Sequence, residues 1–88
     1  MQKDWRMIKV NVYVTLKKEI LDTQGLVIKK AIPQIGFDNV ENVRFGKFIQ
    51  LEIEQGSKSE EDIKKEIEYL CNKLLSNPII EDFKYEIL

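Results

Sequence analysis

"VRFGKFIQLEIE", Val43 to Glu54, is the stretch on which the strand count depends. Val43 and Phe45 alternate with polar neighbours on one side of a glycine, and Ile49, Leu51 and Ile53 alternate on the other. Glycine tolerates the backbone of a tight reversal, so the spacing predicts two strands joined at Gly46-Lys47. Upstream, "MIKVNVYVTL", Met7 to Leu16, sets Ile8, Val10, Val12, Val14 and Leu16 against Lys9, Asn11, Tyr13 and Thr15. Period two with β-branched residues is a half-buried strand. The period then changes. Val27, Ile28, Ala31, Ile32 and Ile35 recur at three- and four-residue steps, which marks one face of a helix. Pro33 cannot donate to the carbonyl of Lys29, so a kink is expected there, with a stop at Gly36.

Downstream, Ser59 and Asp62 have the spacing of a capping box, and Glu60, Glu61 and Asp62 suit the positive end of a helix. Ile63, Ile67, Leu70, Cys71, Leu74 and Leu75 follow at helical spacing, and Asn77-Pro78 ends that run. In "IIEDFKYEIL", Phe83, Tyr85 and Ile87 alternate with Asp82, Lys84 and Glu86 as a last strand. The order is β-α-β-β-α-β. It predicts a ferredoxin-like α+β fold, an antiparallel sheet with two helices on one face. One domain spans residues 1–88, with 1–6 as an N-terminal extension.

Composition bounds the function. At 88 residues there is room for one small domain, whose lone core is marginal, so association with itself or a partner is expected. Fourteen basic against fifteen acidic residues leave a net charge of −1, without the basic footprint of a nucleic-acid binder. Cys71 is the only cysteine, so no intrachain disulfide can form and a reducing compartment is expected. "MQKDWRM" lacks the apolar segment of a signal peptide, and no apolar run is long enough for a membrane span. The expected setting is the cytoplasm.

"LDTQG", Leu21 to Gly25, is the most suggestive short motif. A helix start with a glycine can hold a phosphate, but the spaced glycines of nucleotide loops are absent and Asp22 would repel the anion. Asp22 reads as an N-cap, with Leu21 and Leu26 at the spacing of a hydrophobic staple. Gly25 inside the helix costs about 1 kcal/mol relative to alanine, so it points to close approach of another backbone or a partner subunit. "FGK", Phe45 to Lys47, reads as a hairpin turn with a solvated lysine, and Arg44 as a group able to hold a partner carboxylate. Cys71 lies on an apolar stripe, and the chain has no histidine to activate it, to act as a base or to bind metal. No catalytic constellation, cofactor site or metal cluster is expected. The open sheet face, with Tyr13, Phe48 and mixed charges, suits a protein contact rather than RNA, and Trp5 and Met7 extend its parity.

"VNVYVTLKKEILDTQG", "VRFGKFIQLEIE" and "LLSNPIIEDFKYEI" together resemble the PurS family, the small subunit of phosphoribosylformylglycinamidine synthase, from about Lys9 to Leu88. Thr23 departs from the family's usual proline, and the start is longer than usual. The resemblance implies a complex of de novo purine biosynthesis. It makes formylglycinamidine ribonucleotide (FGAM) from formylglycinamide ribonucleotide (FGAR), glutamine and ATP. A glutaminase subunit releases ammonia, and a large synthetase subunit, which binds ATP and magnesium, consumes it. The small subunit is implied to join the two, as a dimer or tetramer, and to assist ammonia transfer without a cofactor or active site of its own. Its expected subunit interface is Tyr13, Asp22, Gln24, Gly25, Arg44, Gly46, Lys47 and Phe48. A competing reading from topology is a free-standing module of the ACT type, which binds small amino acids at dimer interfaces.

Overall fold

The computed structural model of the chain describes residues 7–88. The N-terminal extension and the Trp5 part of the predicted contact lie outside the described residues. Strand β1 (Met7–Leu16) is central, with β2 (Gly46–Glu54) and β3 (Glu81–Ile87) antiparallel on its two sides. The alternation of β1 sends Val10, Val12 and Val14 inward to 0–1% exposure. Register places Val12 opposite both Ile49 and Tyr85, and Tyr13 opposite both Phe48 and Lys84. The predicted faces of all three strands are therefore the observed ones.

Helix α2 (Glu60–Leu70) lays Ile63 and Ile67 on the valine row and completes the core with Cys71. Ser59 starts it by accepting the Asp62 amide at 3.1 Å, beside the acidic first turn. Its last turn, Cys71–Leu75, is a π turn, closed by the Ser76 amide and hydroxyl, which donate to the Cys71 carbonyl at 3.0 and 2.8 Å. The wider turn changes the phase of the helix. Leu75 stays against the core, while Leu74, expected on the apolar stripe, is exposed.

The hairpin predicted at Gly46-Lys47 does not form. Gly46 opens β2 opposite Thr15, and a Cβ there would lie 2.5 Å from the Val14 carbonyl oxygen. The glycine serves close approach of two strands, not a reversal. Residues 37–45 have no regular structure. Within the described chain the ferredoxin-like α+β arrangement thus has three strands, one fewer than the predicted order.

Helix α1 (Thr23–Ala31) forms where its periodicity predicts, and Pro33 converts its end into a 3₁₀ turn, Ile32–Ile35. Gly36, at φ 101°, then stops it with its amide on the Pro33 carbonyl. Of α1 only Gly25 is buried, and no α1 residue joins the core. Residues 17–45 leave the sheet after Leu16 and return at Gly46, opposite Thr15, so both stems spring from one end of the sheet. The radius of gyration is 17.7 Å, against about 12 Å for a compact chain of this length. The molecule measures 58 × 29 × 16 Å, and this lobe lengthens it.

Candidate functional site

Asp22 stands where the two stems of the lobe meet. One carboxylate oxygen accepts the Gly25 amide at 2.9 Å, as an N-cap does, and the other accepts the Phe45 amide at 2.7 Å. The Phe45 bond, then the Gly25 bond, then the Arg44 charge hold this carboxyl below its usual range. Gly25 is needed for the approach. A Cβ there would lie 2.5 Å from the Asp22 carboxylate and 2.7 Å from the Val43 carbonyl oxygen. The neighbour that Gly25 admits is thus the chain's own backbone. Arg44 does not project freely from the sheet; its Nη2 donates to the Leu16 carbonyl, tying the second stem to the first. Lys47 is solvent-exposed as expected but lies in β2 rather than in a turn, with its Nζ 3.6 Å from the Glu81 carboxylate. Asp22, Gln24, Gly46 and Lys47 line one cavity of about 140 Å³, with Leu16 and Glu81.

Tyr13 and Phe48 lie apart from that junction, side by side on the open sheet face. Their ring centroids are 5.3 Å apart at 28° between planes, and Lys84 Nζ sits 5.7 Å over the tyrosine ring. The Tyr13 hydroxyl donates to Glu86, which favours the protonated phenol and raises its pKa. Beside them Gln50 donates to Asn11 at 3.3 Å. The eight predicted interface residues therefore form two groups: six at the base of the lobe and two on the open face.

Sequence reasoning missed the partners that make the junction, the Phe45 amide and the Leu16 and Val43 carbonyls. Backbone groups carry no side-chain signature, so only the register could reveal them. It also missed how much of the lobe is uncovered: Val27 is 66% exposed, Ile35 73% and Phe37 58%. Cys71, by contrast, is buried, which raises its thiol pKa, with Glu68 adding to the effect. Such a thiol is a structural group rather than an activated nucleophile. Among the described residues no three His, Cys, Asp or Glu side chains gather as metal ligands, and no helix is long and apolar enough to cross a membrane.

A small sheet with its own core, extended by a braced lobe that presents apolar side chains, defines a class: a module built to associate. The family profile of PurS, phosphoribosylformylglycinamidine (FGAM) synthase, matches residues 9–88, and the chain belongs to that family. It is 42% identical to the phosphoribosylformylglycinamidine synthase subunit PurS of Bacillus subtilis, over 92% of this chain and 93% of that protein. It is 38% identical to the corresponding subunit of Methanocaldococcus jannaschii, over 92% and 95%. The crystal structure of the Methanocaldococcus jannaschii PurS, described as one of the subunits of formylglycinamide ribonucleotide amidotransferase in the purine biosynthetic pathway, superposes with a TM-score of 0.79. It is 36% identical and covers 92% of this chain and 95% of that one. These comparisons give the ACT-type reading no support. The space at Gly25 is filled by Asp22 and Val43 rather than left for an amino acid.

Proposed function

We propose that the chain is the small, non-catalytic subunit of a phosphoribosylformylglycinamidine synthase complex, which forms FGAM from FGAR, glutamine and ATP. In this reading it bridges the glutaminase and synthetase subunits in the cytoplasm and assists ammonia transfer. It binds no cofactor, and ATP and magnesium belong to the large subunit. The observation that carries the reading, beside family membership, is the lobe of residues 17–45, which adds nothing to the chain's own core and presents apolar side chains outward.

The first occupant of that surface is a second copy. Ile49, Leu51 and Ile53 of edge strand β2 are only half-buried under α2, and α1 carries an uncovered apolar row. Each copy thus has a helix in need of a surface and a surface in need of a helix, the self-complementarity of a twofold dimer. A connector also suits the chemistry. Ammonia released into water is protonated, and ammonium has no lone pair with which to attack. Fixing two active sites in register raises the fraction of each cleaved glutamine that is used.

The test is product formation by the purified synthetase and glutaminase from the same source, supplied with glutamine or with an ammonium salt, each with and without this chain. Glutamine-dependent activity is expected to require the chain and ammonium-dependent activity to require it much less. Indifference of both activities sinks the connector reading.

A further inference from the structure

Resting on the reading of residues 17–45 as an association arm, we propose that Asp22 is the positioning residue that sets the arm's direction. It bolts the start of α1 to the start of β2. Two short stems join the lobe to the sheet, the residues after Leu16 and those before Gly46. On flexible stems the lobe would fold back and cover its apolar row against the half-buried side chains of β2, which hydrophobic burial favours. Yet Val27 and Ile35 remain exposed, so something at the base opposes that motion.

The junction supplies it. The first oxygen of Asp22, held by the Gly25 amide, fixes the carboxylate's orientation; the second reaches across to the Phe45 amide. Arg44 ties the same stems through the Leu16 carbonyl, and its charge favours the ionised carboxylate. Gly25 lets the Val43 carbonyl close in from the far side. This explains the residue type. A cap alone is satisfied by Ser, Thr or Asn, each offering one acceptor oxygen atom. Capping one stem while gripping the other takes two acceptors, and a carboxylate has them.

Asp22→Asn separates the two roles. Its carbonyl keeps the bond to Gly25, while its amide sets a donor against the Phe45 donor. The first readout is the arm-to-sheet distance distribution between nitroxides at Gln34→Cys and Glu52→Cys. Labelled full-length chain is refolded with excess unlabelled chain, so only pairs within one copy count; Cys71, at 0% exposure, escapes labelling. The variant is expected to broaden the distribution about twofold or more and to cut Phe45 amide protection about tenfold, leaving Gly25 protection within about threefold. Self-association, measured by sedimentation equilibrium, is expected to weaken about tenfold or more, since a wandering arm must be ordered on binding. An unchanged distribution despite lost Phe45 protection overturns the proposal. So does a broadened one with unweakened association. If the unmutated chain does not self-associate, the second-copy reading fails by itself, and the distance distribution in the monomer still decides whether Asp22 sets the arm. Should Asp22→Asn fail to fold, Asp22→Ser, which caps but is too short to bridge, takes its place.

Discussion

Helices α1 and α2 carry similar apolar spacing and meet opposite fates. In α2, Ile63 and Ile67 are fully buried over β1. In α1 and the turn that follows it, Val27 and Ile35 stay open to solvent. Periodicity states which face of a helix needs a partner; it does not state whether the chain itself supplies one. The connections decide that. Residues 55–59 lead from β2 into α2, and residues 76–80 lead from the end of its last turn into β3, so α2 is returned across the sheet. The stems of the lobe instead leave and rejoin at one sheet end and are locked there by Asp22 and Arg44.

The contrast is broken most severely by truncating one isoleucine in each region. Ile67→Ala removes a fully buried side chain and is expected to cost about 3 kcal/mol, within the usual range for large-to-small core changes. Ile35→Ser removes an exposed one and is expected to leave the isolated protomer within about 0.5 kcal/mol. Urea unfolding at two protein concentrations separates them. The loss in Ile67→Ala persists on dilution, while any loss in Ile35→Ser appears only where copies associate. Equal, concentration-independent losses would falsify the division of the chain into a core half and an arm.

Gly25→Ala comes next. In an ordinary helix interior this change stabilises by about 1 kcal/mol. Here the new methyl would meet the Asp22 carboxylate and a backbone carbonyl at 2.5 and 2.7 Å, so a loss of about 1–3 kcal/mol is expected, as for overpacking. Gly36→Ala is the control: nothing lies within 4 Å of its Cβ, and only the positive φ opposes it. A Gly25→Ala chain as stable as the parent in denaturant would mean that the stems are not closely joined.

How much of this was legible follows from what kind of group carries each feature. The inward row of β1, the α2 stripe as far as Cys71, both caps and the kink at Pro33 are side-chain patterns at fixed spacing, and the structure shows each; the π turn, which puts Leu74 outside, has no such pattern. Gly46 was misread because glycine has two uses, reversal and close approach, and the sequence does not choose between them. The register with Thr15 does. Arg44 and Lys47 have neighbours within the chain that their spacing does not show. Arg44 meets a backbone carbonyl, and Lys47 meets Glu81, which is distant in sequence. Asp22 was read as a cap, which it is. Its second bond, to Phe45, had no sequence signal.

The capping residues sharpen the comparison at smaller amplitude. Ser59 caps α2 through one bond, to the Asp62 amide. Ser59→Ala is expected to cost about 1 kcal/mol, read as a lower urea midpoint with an unchanged slope. Because α2 closes the core, that loss falls on the whole protomer.

Asp22 caps α1 by a charge, so its contribution depends on pH where that of Ser59 does not. The sign follows from linkage. The folded-state pKa lies below the usual carboxylate value, chiefly through the Phe45 and Gly25 amides, so the native state binds the proton less readily than the unfolded chain. The stabilisation is fully present above the unfolded value of about 3.9 and fades as pH falls through the lowered folded pKa. The groups facing Asp22 are Arg44 and, across the shared cavity, Lys47 paired with Glu81. The acid limb is compared with that of Asp22→Asn, where only the Asp22 part is removed. Urea midpoints between pH 7 and 3 are expected to converge for the two chains at the acid end and to separate above it, with the parent more stable. Parallel curves would mean that the Asp22 charge adds nothing to the junction. A larger acid loss in a chain labelled on the arm than in one labelled on the sheet would place the effect at the base of the arm, where the geometry puts it.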